Sequence, residues 1–127
     1  MASQTMGPAL GTRFVDALAA RDRDAMAAVL HPEVDFRGLT PNRFWEATDA
    51  AAVLDIVLGQ WFEPGDELDD LVLVECDTFA DREQLRFGFE GHNEDGSFAV
   101  EQQAYLAERD GRIGWMRVVC SGFRPRD

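Results

Sequence analysis

Apolar residues recur at helical spacing in the first half of the chain, and in the second half they alternate or run in strand-length blocks. Phe14, Val15, Leu18 and Ala19 make one stripe of a helix that Gly7-Pro8 opens, since proline suits a first helical turn. Ala25, Met26, Val29 and Leu30 predict a second, short helix beginning at Asp22 or Arg23, with Asp22 as its N-cap. His31-Pro32 ends it, because a residue before proline avoids the α region, and 34–36 is a short extended piece. Thr40-Pro41 reads as a further helix start ahead of Phe44 and Trp45. Thr48 then caps an amphipathic helix with Val53, Leu54, Val57, Leu58 and Trp61 on one face, stopped by Pro64-Gly65-Asp66. Segments 71–79, 84–89, 98–106 and 113–123 read as strands, separated by turn formers at Ala80-Asp81-Arg82, 91–96 and Arg109-Asp110-Gly111. Helices followed by a four-stranded antiparallel meander predict an α+β fold, its sheet curled over the helices around a cavity.

Composition narrows the classes. The 127 residues fit a single domain spanning 1–127, and a hydrophobic fraction of 46% with nine Phe suits a folded core. The net charge is −12 and every basic residue is an Arg, a balance that repels phosphate backbones and anionic lipid heads. No nucleic-acid or membrane partner is therefore expected, and no apolar run approaches the roughly 20 residues of a membrane span. The first ten residues do not read as a secretory signal. Cys76 and Cys120 could form one disulfide, but two buried reduced thiols are the preferred reading, which points to the cytoplasm. Two distant histidines and no Cys-His cluster argue against a metal, and no glycine-rich phosphate loop supports a nucleotide, so no cofactor is expected.

Three ordered signatures carry a family resemblance: 14–26, with Arg21-Asp22-Arg23-Asp24-Ala25 after a long helix; Leu30-His31-Pro32-Glu33-Val34-Asp35-Phe36; and Arg109-Asp110-Gly111-Arg112-Ile113 between the last two strands. Together they resemble the nuclear-transport-factor-2-like superfamily, and 36–41 with 120–125 resemble its bacterial SnoaL-like (polyketide-cyclase-like) subgroup. The resemblance covers nearly the whole chain. It implies a cone-shaped curved antiparallel sheet around N-terminal helices, a hydrophobic pocket for a small apolar organic molecule, and a homodimer paired across the open sheet face, where Trp115 and Arg117 would lie. The fold hosts enzymes and non-enzymes alike, so reaction must be argued from residues.

Steroid-isomerase roles in this superfamily would fall on Phe14, Gly38 and Gln103, of which only Gln103 can hydrogen-bond an oxygen; classical steroid isomerisation is not expected. An epoxide-hydrolase-like Arg-x-Asp has its nearest counterpart in Arg86-Phe87-Gly88, which lacks the carboxylate. With Gln103 facing the pocket, strand alternation brings Glu101 and Tyr105 inward, and Met116, Val118 and Cys120 on the last strand. Phe14, Leu18, Phe36, Trp45, Leu58 and Trp61 complete an apolar lining. Glu101 is then the general acid or base, its charged form disfavoured by the pocket, with Gln103 and Tyr105 orienting the substrate. His92 is a candidate rim contact, and Cys120 reads as a packed thiol. Two functions remain open: a cofactor-independent lyase, isomerase, cyclase or epoxide hydrolase, and a non-catalytic binding or assembly module.

Overall fold

The computed structural model describes residues 9–126, which leaves Gly7-Pro8 outside the described residues. Helix α1 (Leu10–Ala20) buries Phe14, Val15, Ala17 and Leu18, while Ala19 faces outward. It ends at Arg21, whose left-handed φ of 51° lets its N–H reach the Ala17 and Leu18 carbonyls. The Asp22 carboxylate caps α2 (Arg23–Val29) by accepting from the Ala25 N–H at 3.0 Å. The chain then enters β1 (Leu30–Thr40), far longer than the extended piece expected around 34–36.

Two expectations change between residues 40 and 61. Pro41 starts no helix: Pro41-Asn42 turns β1 back into β2 (Arg43–Ala47), with Thr40 opposite Arg43. Proline fixes φ equally well for a tight turn and for a first helical residue, so the same signal serves both. The next helix is capped by Asp49 rather than Thr48, through Ala52 N–H to Oδ1 at 2.8 Å. That helix, α3 (Ala50–Leu54), widens into a π-helical segment over Asp55–Trp61. The wider turns bring Ile56 into the core beside Val57 and Trp61 and leave Leu58 only partly buried.

The meander follows as β3 (Glu67–Phe79), β4 (Arg82–Asn93), β5 (Gly96–Arg109) and β6 (Arg112–Cys120), with a short β7 (Arg124–Pro125). The described strands form one curved, unclosed sheet in the order β2-β1-β6-β5-β4-β3, β7 adding to β5. β1 runs parallel to β6 and the meander pairs are antiparallel. Alternation sorts the two faces. Phe36, Leu85, Phe87, Phe89, Val100, Ala104, Leu106, Met116 and Val118 are buried against the helices, and Arg37, Leu39, Gln103, Tyr105 and Val119 point the other way.

One residue decides that sorting. Arg109 pairs with Arg112 and Glu108 with Ile113, but Ala107 pairs with Trp115, so Gly114 is the extra residue of a β-bulge. A Cβ on Gly114 would run into the Arg109 side chain, which explains why glycine stands there. Beyond the bulge Leu106 lies opposite Met116, Ala104 opposite Val118 and Gln102 opposite Cys120. Carrying the Arg109–Arg112 register on without a bulge would instead oppose Tyr105 to Met116, Gln103 to Val118 and Glu101 to Cys120. The expected inward placement of Glu101, Gln103 and Tyr105 is therefore corrected: all three lie on the outer face, and Gln102 takes the inner one. The cysteines also divide, Cys120 buried and Cys76 exposed, both as free thiols.

Candidate functional site

The concave face is packed with side chains. Phe14, Leu18, Phe36 and Met116 fill it with almost no exposure. Gly38 makes room for Trp61: a Cβ there would sit 2.6 Å from the indole ring. Trp61 lies against Phe36 at 5.7 Å between ring centroids and meets Trp45 edge-on at 6.2 Å. Phe62 touches Phe89 and Phe123, and Phe123 stacks on Phe98 at 4.2 Å. The expected wide cavity is thus reduced to a hollow of about 190 Å³ at the open end of the cone, lined by Thr40, Trp45, Gln60, Trp61, Phe62, Cys120, Gly122 and Phe123.

Two polar groups of the interior lack a partner. Among the described residues, Trp61 Nε1 and Gln102 Nε2 are buried side-chain donors with no hydrogen-bond partner. Gln102 is 2% exposed and sits directly across the β5–β6 ladder from Cys120, a wall of the hollow. A buried donor left unpaired costs about 1–3 kcal/mol. Trp45, by contrast, is satisfied: its indole N–H donates to Thr40 Oγ1 at 2.9 Å. Gly122 N–H donates to Cys120 Sγ at 3.4 Å.

Of the predicted lining, Phe14, Leu18, Phe36, Trp61, Met116, Val118 and Cys120 do face inward, and Trp45 and Leu58 pack partly buried against that core. Gln60, Phe62 and Phe123 join the mouth without having been foreseen, and Gln102 is buried on the inner face across from Cys120. The signal for Gln102 was present in Gly114, since a glycine within a strand marks a bulge, and one bulge exchanges odd and even positions.

The three predicted catalytic residues meet on the outer face instead. Arg86 donates to both Glu101 oxygens, at 3.0 and 3.3 Å, and to Glu75 at 3.3 Å. Gln103 Nε2 donates to Glu101 at 3.3 Å. The Arg86 and Gln103 hydrogen bonds hold the Glu101 carboxyl below its ordinary pKa, the reverse of what a proton donor in an apolar pocket needs. Tyr105 packs edge-on against Phe79 at 6.3 Å. Glu101, Gln103 and Tyr105 border an open groove of about 610 Å³ with Leu39, Phe44, Arg117 and Val119. His92 is on the outside too, its Nδ1 2.7 Å from Asp69, and its neighbour Asn93 rather than His92 reaches the cone's rim. His31 takes the Glu33 N–H at Nδ1 and faces Asp110 with Nε2, a structural role at the start of β1.

Among the described residues no His, Cys, Asp and Glu side chains gather closely enough to hold a metal ion, and no helix is long and apolar enough to cross a membrane. No protein-family model matches the chain, and no curated protein matches its sequence. Solved structures do match its shape. A ketosteroid-isomerase-like-fold protein from Catenulispora acidiphila, in complex with trimethylamine, superposes with a TM-score of 0.71 at 14% identity, over 91% of this chain and 88% of that one. A nuclear-transport-factor-2-like protein from Burkholderia xenovorans gives 0.64 at 14% identity, over 88% and 86%. An LEH-like epoxide hydrolase from M. tuberculosis gives 0.64 at 12% identity, over 88% and 80%. The chain has the nuclear-transport-factor-2-like fold. Likenesses this distant in sequence establish the fold alone, and one fold serves different chemistries.

Proposed function

We propose that this chain is a cofactor-independent small-molecule-binding module that holds, at the mouth of its cone, a small apolar molecule bearing an acceptor oxygen. The observation that carries the reading is the pair of buried, unpartnered donors, Trp61 Nε1 and Gln102 Nε2, close to an aromatic-walled hollow. An acceptor offered there gains hydrogen bonds that the free protein forgoes, while Trp45, Phe62 and Phe123 contact the apolar body. Acid/base catalysis by Glu101 is not part of this reading, because that carboxylate is ion-paired to Arg86 on the opposite face.

The test is calorimetric titration with 3,3-dimethylbutyl acetate, a neutral ester with one strong acceptor and an apolar tail. Trp61→Phe and Gln102→Leu should each weaken binding about tenfold, one hydrogen bond's worth, and Glu101→Gln should leave it unchanged. Binding untouched by the first two substitutions, or lost with the third, would contradict the reading.

A specific surface observation favours self-association beside this. Leu39, Phe44, Tyr105 and Val119 are 49, 54, 42 and 56% exposed around the outer groove, an unusual concentration of apolar area on one sheet face. Its charges are balanced locally, Arg37 by Glu46, Arg86 by Glu101 and Glu75, and Arg117 by Asp35. We propose a homodimer through this face, since neutralised ion pairs let two strongly acidic chains approach there. Sedimentation as a dimer supports it, and a monomer at every concentration opposes it.

A further inference from the structure

The sheet ends differently at its two edges. β2 is a strand of five residues, whereas β3 has thirteen, and among the described residues no strand pairs with its outer edge. Edge strands are ordinarily kept from pairing by shortness, proline, lysine or bulges. The first half of β3 has two bulges, where Asp69 and Val72 are passed over in the pairing with β4. From Leu73 to Phe79 the ladder is unbroken, running opposite Gly88 to Arg82. This stretch contains no proline, glycine or basic residue. Every residue in it after Leu73 is exposed, Val74 by 40% and Phe79 by 65%. It offers a straight row of backbone donors and acceptors to another strand.

Its side chains define what that strand must carry. Alternation puts Leu73, Glu75, Asp77 and Phe79 on the outer face of the sheet, and Val74, Cys76 and Thr78 on the inner. β3 as a whole carries Glu67, Asp69, Asp70, Glu75 and Asp77 and no Arg or Lys. A second β3 laid against it would set carboxylates beside carboxylates, which disfavours pairing with its own copy. Glu75 shares Arg86 with Glu101, while the Asp77 carboxylate has no ion pair among the described residues and accepts from Thr78 N–H. Beside these two acids, on the outer face, lies a hollow of about 550 Å³ bordered also by Gln84, Gln103 and Tyr105. Phe79 meets the Tyr105 ring edge-on, so an aromatic ring and a carboxylate without a cation stand next to the open edge. Arg86 closes the hollow on the side away from that edge, held by Glu101 and Glu75.

We propose that the Leu73–Phe79 edge of β3 is a docking strip for an extended segment of a basic partner protein, which adds a strand to the sheet and alternates arginine on the outer side with small apolar residues on the inner. An arginine opposite Asp77 pairs with its carboxylate and lays its guanidinium towards Tyr105. Apolar residues opposite Val74 and Cys76 cover the inner side. Backbone hydrogen bonds supply the affinity, and the carboxylates select a basic partner over an acidic one. The strip is separate from the cone mouth and does not rest on the binding reading above.

The probe is the peptide acetyl-Thr-Val-Arg-Val-Arg-Val-Thr-amide, titrated into the intact protein by calorimetry and followed by proton–nitrogen correlation spectra. Signal shifts should concentrate on the backbone amides of 73–79, and those amides should gain protection from hydrogen exchange. The same peptide with glutamate for arginine should bind at least about tenfold more weakly at low salt, with the gap narrowing as salt rises. Two further forms carry N-methyl groups, one on the arginine amides and one on the valine amides. One of them should keep binding and the other lose it, because alternate amides of a strand face the same edge. Asp77→Lys, and more mildly Asp77→Asn, should weaken the arginine peptide, the former about tenfold, while Val119→Glu leaves it unchanged. Equal behaviour of the two methylated forms would overturn strand addition. Equal affinity for the arginine and glutamate peptides would overturn the basic partner. Absence of binding by the arginine peptide, or shifts on Arg37, Arg117 and Val119 in place of β3, would overturn the strip itself.

Discussion

Gln102 is a long polar side chain held 98% out of solvent by the position it occupies in β5, and its Nε2 finds no partner among the described residues. Leucine has nearly its volume and no polar atoms, so Gln102→Leu should raise the stability of the free protein by about 1 kcal/mol in chemical denaturation while weakening ligand binding. A loss of stability of that size would mean that the amide is already satisfied in the free protein. Glu101 makes the opposite case on the other face. Its pKa lies below the ordinary 4.5 through the Arg86 and Gln103 hydrogen bonds, so its contribution to stability is present above that value and is lost as pH falls through the lower folded value. His92 is raised above 6.5 by the Asp69 hydrogen bond, so its contribution is present below 6.5 and is lost as pH rises through the higher folded value. NMR titration of the two side chains checks both directions, and a Glu101 carboxyl titrating above its ordinary value would restore the acid/base reading. Cys76 is pushed up to about 11 by burial and by Glu83, to which it donates, so it should react slowly with thiol reagents despite its surface position.

Elements whose ends are written in local chemistry were legible. Asp22 caps α2 as its type and place predict, and the alternation of β4 to β6 marks the strands, because such signals need only near neighbours. Three features were not legible for reasons that can be named. Pro41 stabilises a turn and a helix start by the same restriction on φ. The π-helical widening over Asp55–Trp61 keeps an apolar stripe that α spacing also explains, and only packing moves Leu58 aside for Ile56. The bulge at Gly114 adds one residue to β6, and a period of two turns one residue into a reversal of faces. Most residues expected to line the pocket are buried in the core or packed against it, and Trp45, Trp61 and Cys120 border the hollow; the β5 residues are reversed, because their placement rested on that strand's register alone. Gly114→Ala should destabilise the protein by about 1–3 kcal/mol by forcing the new methyl against Arg109. Unchanged denaturation midpoint and slope would show that the bulge tolerates a side chain, removing its hold on the register.

At the scale of the whole molecule, one sheet serves two surfaces. Its concave face is closed by Phe, Trp and Met side chains except at the mouth, and its outer face presents apolar residues between balanced ion pairs. Val119→Glu places an unpaired charge at the centre of that face and should convert a sedimenting dimer to a monomer without moving the affinity of the mouth for the neutral ester. A dimer that persists would place the contact elsewhere.

The central claim is that ligand meets the protein at Trp61 and Gln102 and leaves the Glu101 face alone. The most direct measurement is a proton–nitrogen correlation spectrum recorded during titration with 3,3-dimethylbutyl acetate, with the Trp61 indole assigned through Trp61→Phe. The Trp61 indole and Gln102 amide signals should shift progressively and saturate together, while the Trp115 indole and Arg86 signals of the outer face stay still. Shifts at Trp115 and Arg86 with Trp61 and Gln102 unmoved would contradict the account and return the site to the outer groove.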